Sequence, residues 1–355
     1  MSRPRLVAIL AAPILGLGLM ATPTQVAPAQ SAPTQAPAAA DSGAARDAAI
    51  SVRVGTFNVR TARALGDKRR WVERAPDVAR EILARNPGVV ALQELGPGRA
   101  DGKKARLKGA SRQTTSLTRT LDRLGGGQYR LVRHTSYVKP GRSHGTQGAR
   151  ILYDGSRFAL VSKCRETTGK KNYHPSCAFD LPLAAGDGPK HLRSAAYARL
   201  KDRRTGRQFY VVSAHLDNRH SKSSSREAVY NRLRARQAAA IANRIAQING
   251  SGLPVVFGGD INAWQTDRGR YAPHRTLAAR GYRCASRAST RVNIAYPTVN
   301  HWRGRMKKSS ARTAARLDVV MAKGARGFRR YENKMAVVDS ARPSDHNLVL
   351  ADLRL

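Results

Sequence analysis

The segment Pro254-Val-Val-Phe-Gly-Gly-Asp-Ile-Asn262 contains an apolar run followed by two glycines, an acid and an amide. The run predicts a buried strand, and the glycines would end it and let the backbone approach a neighbouring element closely. Asp260 and Asn262 can point the same way if the chain stays extended past the strand. The same residues also suit an ordinary turn, so the segment alone leaves both interpretations open.

A second pair of predicted strands lies near the start of the folded region. Residues 51–59 alternate like a half-buried strand that carries Asn58 near its end, and residues 89–94 form an apolar run that closes on Glu94. The helix between them is predicted to start at Pro76, because proline suits the first turn. This strand–helix–strand order favours a layered α/β unit, in which parallel neighbours would place Asn58 and Glu94 at one sheet edge.

The remaining chain contributes further predicted strands and one long helix. One apolar strand ends in His215, a helical pattern covers 228–248, and Asp318 lies inside another apolar strand. Residues 51–355 are therefore predicted to form one α/β domain with a sizeable core. The additional strands are predicted at 129–133, 150–153, 158–162, 193–200, 209–215, 316–321, 335–338 and 347–355.

Eight polar residues lie at or near the ends of predicted apolar strands, which is hard to attribute to chance in a chain with 23 Asp and Glu. Glu94 and Asp345 offer the carboxylate oxygens that Mg²⁺ prefers. Asp260 can take a proton, and the side-chain amide of Asn262 lies two residues further along the chain. This combination suits attack of water on a phosphate. Asp318 with His346 would make a histidine oriented by an acid. The full set is Asn58, Glu94, His215, Asp260, Asn262, Asp318, Asp345 and His346.

Each of these residues also has an ordinary structural interpretation. Glu94 could pair with one of the many arginines, Asn58 could satisfy a turn, and His215 could be a core histidine. Residues 344–346 suit a turn, whereas Asp318 inside a strand needs a partner because a buried acid is costly alone. The set is therefore more informative than any single member.

The chain is strongly basic, with 64 Lys and Arg against 23 Asp and Glu and a net charge of +41. Residues 1–49 hold three arginines and two aspartates and contribute only +1. The basic surface therefore belongs to the folded region, where it would attract polyanions in a salt-dependent way. Arginines that merely solvate the surface would give the same composition.

The first residues have the pattern of a secretory signal peptide. Residues 1–22 combine Arg3 and Arg5 with an apolar run, 6–21, that is short for a membrane span. Residues 23–50 are rich in Ala and Pro without an apolar period, which predicts a disordered leader or linker. We therefore expect a secreted protein without stable membrane insertion, and we expect a monomer.

The three cysteines fit an exported protein better than a zinc protein. Cys164 and Cys177 bracket a polar loop and form the predicted disulfide, which leaves Cys284 over. The cysteine and histidine spacings match none of the usual zinc patterns.

Six short blocks carry the strand-end residues: Thr56-Phe-Asn58, Gln93-Glu94, His215-Leu216, Gly259-Asp260-Ile-Asn262, Leu317-Asp318-Val319 and Ser344-Asp345-His346. Their order resembles the endonuclease/exonuclease/phosphatase superfamily, the DNase I-like fold, over about 52–355. Each block alone is weak, but their order is specific. The resemblance implies an α/β (α+β) four-layer sandwich, with two β-sheets packed face to face and helices outside. It also implies Mg²⁺-dependent hydrolysis of phosphate esters at one end of the sheets.

The resemblance also implies catalytic roles. Asp260 is similar to the residue that orients or deprotonates the water, and Asn262 to a donor to the phosphate. His346, held by Asp318, is similar to the histidine that stabilises the pentacovalent phosphate. His215 matches the other active-site histidine.

By the same resemblance, Glu94 is the metal ligand with Asn58 close to it, and Asp345 is the second acid on the metal side. The metal is expected to be Mg²⁺, with Mn²⁺ or Ca²⁺ as alternatives. Arg193 is a weaker match to a phosphate-binding arginine. Some family members hold the first histidine with an acid before a mid-domain strand, but residues 148–151 contain none.

These features favour a secreted Mg²⁺-dependent nuclease or related phosphodiesterase acting on DNA or RNA. A phosphatase or sphingomyelinase-like lipid phosphodiesterase is the alternative within the superfamily, although no strong apolar hairpin for membrane contact is evident. A non-catalytic polyanion-binding protein is the alternative of another class, and the intact motif set argues against it. Substrate choice would depend on loops 96–112, 139–149 and 263–313, because fold alone does not decide function.

Overall fold

Two β-sheets form the centre of the domain, and each contains seven strands among the residues that the structure describes. This computed structural model describes residues 49–64, 69–96, 98–103, 111–132, 148–164, 177–188, 191–264, 272–310, 312, 314–335 and 342–355. The predicted signal peptide and leader, residues 1–22 and 23–50, lie outside these ranges except for the last two residues.

The strands are short and are numbered in chain order. They are β1 (Ser51–Asn58), β2 (Val89–Gln93), β3 (Tyr129–Leu131), β4 (Arg150–Asp154), β5 (Phe158–Leu160), β6 (Ala178–Asp180), β7 (Ser194–Asp202), β8 (Gln208–His215), β9 (Val255–Asp260), β10 (Arg283–Cys284), β11 (Thr290–Val292), β12 (Asp318–Lys323), β13 (Gly327–Lys334) and β14 (Leu348–Arg354). The first sheet has the order β11-β13-β14-β1-β2-β4-β3. The second has the order β10-β12-β9-β8-β7-β5, and β6 also pairs with β7.

The described α-helices cover the outer faces of the two sheets. They are α1 (Trp71–Arg85), α2 (Gln113–Arg123), α3 (Ser224–Ile248) and α4 (Pro273–Ala278). Helices α1 and α2 pack on the first sheet through one apolar cluster, and α3 and α4 pack on the second sheet through another. A third cluster lies between the sheets and includes Val54, Val211 and Val256. The predicted four-layer sandwich is therefore confirmed.

Strand direction brings the polar strand ends to one edge of the sandwich. Strands β1 and β2 are parallel, with Asn58 opposite Gln93. Strands β8 and β9 are also parallel, with His215 opposite Asp260. Strand β12 runs antiparallel to β9 and starts where β9 ends, so Asp318 also lies opposite Asp260.

The glycines before Asp260 allow close approach, as the sequence predicts. A Cβ added to Gly258 would lie 2.6 Å from the Cβ of Ala91 and 3.3 Å from that of Thr56, both in the opposite sheet. A Cβ added to Gly259 would meet the carbonyl of Ala214 in β8 at 2.6 Å. Glycine is therefore required both between the sheets and within the second sheet.

The predicted start of the first helix was wrong, because α1 begins at Trp71 rather than Pro76. The Glu73 carboxylate accepts a hydrogen bond from the Arg70 backbone N–H at 3.1 Å, which caps the earlier start. Pro76 has no N–H to bond the Val72 carbonyl. Val72 is 45% exposed, so this turn of the helix lies at the surface.

Other predicted elements shifted or were missed. The weakly patterned segment 263–313 contains α4, β10 and β11 in its described part. Strand β13 was missed because charged residues occupy much of its length. A strand was predicted at 335–338, but Met335 follows the end of β13 and is not in a strand. Residues 336–338 lie outside the described ranges.

The predicted disulfide between Cys164 and Cys177 is present. The Cys284 thiol instead accepts a hydrogen bond from Ser286 Oγ at 3.2 Å. Among the described residues, no helix combines the length and apolar character needed to cross a membrane.

Replacing Gly258 by alanine should destabilise the fold, because the added methyl would overlap Ala91 across the two sheets. We expect the free energy of unfolding to fall by about 1–3 kcal/mol in urea titrations. Gly250→Ala is the matched control, since a Cβ at Gly250 meets nothing within 4 Å. Equal stability of the two variants would contradict the close sheet contact.

Candidate active site

The site is built around the carboxylate of Asp260, which is 1% exposed. Its Oδ2 accepts a hydrogen bond from Asn58 Nδ2 at 3.2 Å, across the two sheets. The same oxygen lies 3.4 Å from His215 Nε2 and 3.8 Å from His346 Nε2. Its Oδ1 accepts the backbone N–H of Asn262 at 3.0 Å. One carboxylate therefore joins residues from both sheets and from three separate parts of the chain.

Asn58 connects Asp260 to the carboxylate of Glu94. Its Nδ2 also donates to Glu94 Oε1 at 3.2 Å, while its Oδ1 accepts the backbone N–H of Arg60 at 3.1 Å. The other oxygen of Glu94 accepts the backbone N–H of Thr61 at 3.0 Å. Both carboxylates are therefore oriented by one amide, and Glu94 is fixed at both oxygens.

Glu94 adopts a left-handed backbone conformation, with φ of 56°. Arg60, in the neighbouring loop, has the same φ, and Asn262 has φ of 47°. Left-handed non-glycine residues are uncommon and cluster at functional sites, where surrounding contacts hold them. The backbone is therefore unusual at Glu94 itself, at Arg60, whose N–H donates to Asn58, and at Asn262, whose N–H donates to Asp260.

Asp318 and His346 form the acid–histidine pair that the sequence predicts. His346 Nδ1 lies 2.9 Å from Asp318 Oδ2 and 3.2 Å from Asp318 Oδ1. Two backbone amides, those of Leu317 and Asp318, donate to Thr298 Oγ1 at 3.1 Å and so fix the start of β12. The His346 ring is thereby turned so that its Nε2 faces Asp260.

The two histidines are held in opposite charge states. Burial lowers the pKa of His215 well below its usual value, and the positive charges of Arg193 and His346 lower it further. Burial also acts to lower the pKa of His346, but the charge and hydrogen bond of Asp318, with the charge of Asp260, outweigh it and raise that pKa to about 10. His215 is therefore neutral and His346 cationic at neutral pH.

Burial raises the pKa of Asp260, and the negative charge of Asp318 adds to the rise, to about 7. The positive charge of His346 and the hydrogen bonds from Asn262 and Asn58 act in the opposite direction. A carboxylate with a pKa near the working pH is suited to accept a proton from water.

Asp345 and Arg193 lie at the margins of this network. Asp345 Oδ2 is 3.5 Å from Arg60 Nη1, and its side chain is 14% exposed. Arg193 is 5% exposed and donates from Nη2 to Asn218 Oδ1 at 2.7 Å. Its Nη1 is buried without a hydrogen-bond partner among the described residues. Burial lowers the pKa of Arg193, while the charges of Asp217, Glu94 and Asp260 oppose this.

The second ring nitrogen of His215 has no acidic partner among the residues that the structure describes. Its Nδ1 is buried and makes no hydrogen bond within the described part of the chain. This agrees with the lack of an acid at 148–151, and within the described ranges Asp260 is the one acid that the ring contacts.

The structure thus brings the predicted site residues to one edge, and it adds supporting residues to which the sequence analysis assigned no role. Asn218 holds Arg193, and Ser344 Oγ donates to the Asn58 carbonyl at 2.6 Å. Gln93 Nε2 donates to Ser213 Oγ at 3.2 Å and so links the two sheets beneath the site. Of these, Ser344 and Gln93 stand beside predicted site residues, which is the signal that could have found them.

The family model for the endonuclease/exonuclease/phosphatase family matches residues 55–346. The chain belongs to this family. Members of the family are hydrolases that act on phosphate esters, so the chain is a phosphoesterase of this class. No curated protein matches the sequence.

Solved structures of endonuclease/exonuclease/phosphatase proteins share the fold at low identity. A family protein from Bacteroides vulgatus is 21% identical, covers 86% of this chain and 99% of its own, and has a TM-score of 0.62. A mannosyl-6-phosphatase from Bacteroides thetaiotaomicron is 18% identical, covers 85% and 99%, and has a TM-score of 0.58. The human nocturnin catalytic domain with bound sulfate is 18% identical, covers 85% and 94%, and has a TM-score of 0.52. These likenesses show the DNase I-like fold alone.

Endonuclease/exonuclease/phosphatase enzymes typically depend on a divalent metal, and the described residues contain one close group of possible ligands besides the predicted ligands Glu94 and Asp345. Asp260, Asp318 and His346 each offer one ligand atom, and these atoms lie within 4.8 Å of one another. In that group the imidazolium of His346 already supplies the positive charge, so a metal would have to displace its proton. Glu94 and Asp345 offer carboxylate oxygens that do not belong to this group of three. One or two carboxylates with water suffice for Mg²⁺. The donor chemistry therefore favours the Glu94 side.

Replacing Asp318 by asparagine should lower the pKa of His346 from about 10 toward its usual value of about 6.5, because the main source of positive-charge stabilisation is lost. ¹⁵N NMR of the imidazole in metal-free protein would follow the titration. The wild-type ring should keep its proton above neutral pH, whereas the variant ring should lose it as pH rises through neutrality. Asp352→Asn, which removes a carboxylate paired with Arg53 instead, is the control. An unchanged titration in Asp318→Asn would contradict the pairing.

Proposed function

We propose that the protein is a secreted, Mg²⁺-dependent phosphodiesterase that hydrolyses nucleic acid. The observation that carries the proposal is the convergence on Asp260 of Asn58, His215 and the Asp318–His346 pair. A base of raised pKa next to a fixed cation is what water attack on a phosphate ester requires.

The proposed mechanism assigns one task to each group. Asp260 orients the water and takes its proton. Cationic His346, held by Asp318, stabilises the negative charge that grows on the phosphate oxygens. Neutral His215 fixes the Asp260 carboxylate through Nε2. Asn262 bonds the Leu216 carbonyl with its Nδ2 at 3.0 Å, and the second hydrogen of that group is left for the phosphate.

Two further groups complete the proposed site. The buried Nη1 of Arg193 would bind a phosphate oxygen. Glu94 and Asp345 would hold Mg²⁺, with Asn58 orienting Glu94, and the bound metal would act as a Lewis acid on the phosphate. Mn²⁺ and Ca²⁺ remain alternatives to Mg²⁺ in the proposal.

Charge and one exposed aromatic side chain support nucleic acid as the substrate. A net charge of +41 favours polyanions over small neutral or zwitterionic esters. Trp264, two residues after Asn262, is 55% exposed, and an exposed indole suits stacking on a base. The fold shared with a mannosyl-6-phosphatase makes a phosphomonoester substrate the second candidate.

Purified protein with Mg²⁺ should hydrolyse DNA or RNA faster than sphingomyelin or phosphomonoesters in a parallel panel. Asp260→Ala and His346→Ala should each lower kcat/KM about 10²–10⁴-fold, because each removes a group acting in the transition state. EDTA should abolish turnover. Asp352→Asn, which removes a partly exposed acid paired with Arg53, should leave the rate unchanged.

Other outcomes of the panel would replace the proposal. Preferred release of phosphate from monoesters would assign a phosphatase, and preferred release of phosphocholine would assign a lipid phosphodiesterase. DNA binding without turnover, unaffected by EDTA or by Asp260→Ala, would assign a non-catalytic polyanion-binding protein.

We also propose that the protein is exported, on the strength of the signal-like pattern of residues 1–22 and the disulfide between Cys164 and Cys177. Full-length chain expressed in a bacterium should be recovered outside the cytoplasm, with an N-terminus beyond residue 22. A variant lacking residues 6–21 should stay in the cytoplasm with thiols that react with a labelling reagent. Cytoplasmic full-length protein with an intact N-terminus would contradict export.

A further inference from the structure

Arg74 of α1 is a buried arginine that reaches the active-site loops from the outer helical layer. It is 1% exposed. Its Nη1 donates to the carbonyls of Val59 and Pro343, the latter at 3.0 Å, and its Nη2 donates to the Arg60 carbonyl at 2.7 Å. Arg74 therefore ties the loop after β1 to the segment that leads into Asp345.

Two tryptophans enclose the Arg74 guanidinium. Its central carbon lies 5.1 Å from the Trp71 ring centroid and 5.6 Å from the Trp302 ring centroid. Trp302 belongs to the turn whose Asn300 N–H donates to the Asp345 carbonyl at 2.7 Å. Contact with the rings fixes the plane of the guanidinium in an orientation that lets it donate to several carbonyls. A lysine ammonium cannot make the same set of contacts.

Gln113 of α2 holds the same loop from a second helix. It is also 1% exposed, and its Nε2 donates to the Arg60 carbonyl at 3.0 Å. Its Oε1 accepts the backbone N–H of Gly96 at 3.1 Å. Gln113 therefore links the loop after β1 to the residues that follow Glu94, and the Arg60 carbonyl receives donors from both helices.

These hydrogen bonds act on the backbone around two left-handed residues, Arg60 and Glu94, each with φ of 56°. The loop that they hold supplies the Thr61 N–H to one oxygen of Glu94, and it carries the Arg60 guanidinium that contacts Asp345. A left-handed non-glycine residue persists only where its surroundings enforce it. Release of the loop would therefore free Glu94 and Asp345 together.

We propose that Arg74 and Gln113 are positioning residues, which hold residues 59–61 so that Glu94 and Asp345 stay oriented for a divalent cation. This inference rests on the proposed function, because it assumes that these two acids bind the metal. Neither Arg74 nor Gln113 would touch substrate or metal.

Mn²⁺ binding by wild-type protein and by Arg74→Lys and Gln113→Met tests the inference, measured by the loss of the free Mn²⁺ EPR signal. Arg74→Lys keeps the charge but not the fork, and Gln113→Met keeps the volume but neither hydrogen bond. Residues that orient metal ligands typically change affinity about 10–100-fold, so we expect a loss of that size in both variants. Hydrolysis of a phosphodiester should then need correspondingly more Mn²⁺, with kcat at saturating metal less affected.

Ile82→Ala is the control for general destabilisation. Ile82 is fully buried in the same helix and packs in the same outer cluster, without a hydrogen bond from its side chain to the loops. It should lower the melting temperature and leave Mn²⁺ affinity unchanged.

The outcomes separate the two claims. If the wild-type protein binds Mn²⁺, and Arg74→Lys and Gln113→Met bind it as tightly as Ile82→Ala does, this inference is overturned. The proposed function would still stand in that case. A wild-type protein that binds no Mn²⁺ and hydrolyses no phosphate ester would overturn the proposed function, and this inference with it.

Discussion

One side-chain amide joins the two sheets at the active site. Asn58, at the end of β1, donates to Glu94, which directly follows the neighbouring strand β2, and to Asp260 in the opposite sheet, both at 3.2 Å. This contact requires the sheets to come unusually close, and Gly258 next to Ala91 provides that proximity. The remaining geometry follows, because Asp260 then lies within reach of both histidines.

The same closeness creates an electrostatic constraint. Asp260 and Asp318 are both nearly inaccessible to water and lie opposite each other on adjacent strands. Two such carboxylates repel, and removing the compensating partner of a buried charge typically costs about 3–5 kcal/mol. His346 lies between them as a cation, while His215 stays neutral. The arrangement couples the stability of the sheet edge to the protonation that the proposed chemistry needs.

Much of this could be predicted from the sequence, because its local signals are strong. Apolar runs ending in Asn58, His215 and Asp260 indicate strands, and parallel pairing puts such ends at one edge. The predictions failed where contacts between distant residues override a local sequence signal. Pro76 suggested a helix start, but the cap at Arg70 and the buried Trp71 extend α1 beyond it.

Other parts of the site could not be predicted because they depend on contacts between remote segments. In the sequence, Arg74 is one of many basic residues and lies on an amphipathic helix. Its role depends on a hydrogen bond to the carbonyl of Pro343, which is 269 positions away. Gln113 and Asn218 likewise act on partners that no spacing rule connects to them. The segment 263–313 carries short elements whose strand partners are remote, so periodicity had little to detect.

We expect Asn58 and Asp260 to act as one unit across the sheets, which a double-mutant cycle in kcat/KM can measure. Substitutions of groups that act as a unit have strongly non-additive effects. Asn58→Ala should therefore lower kcat/KM in the wild-type protein, but it should lower kcat/KM by less than about threefold when Asp260→Ala is already present. If the two losses instead multiply in the double variant, the residues act independently, and the shared carboxylate at the meeting point of the sheets is contradicted.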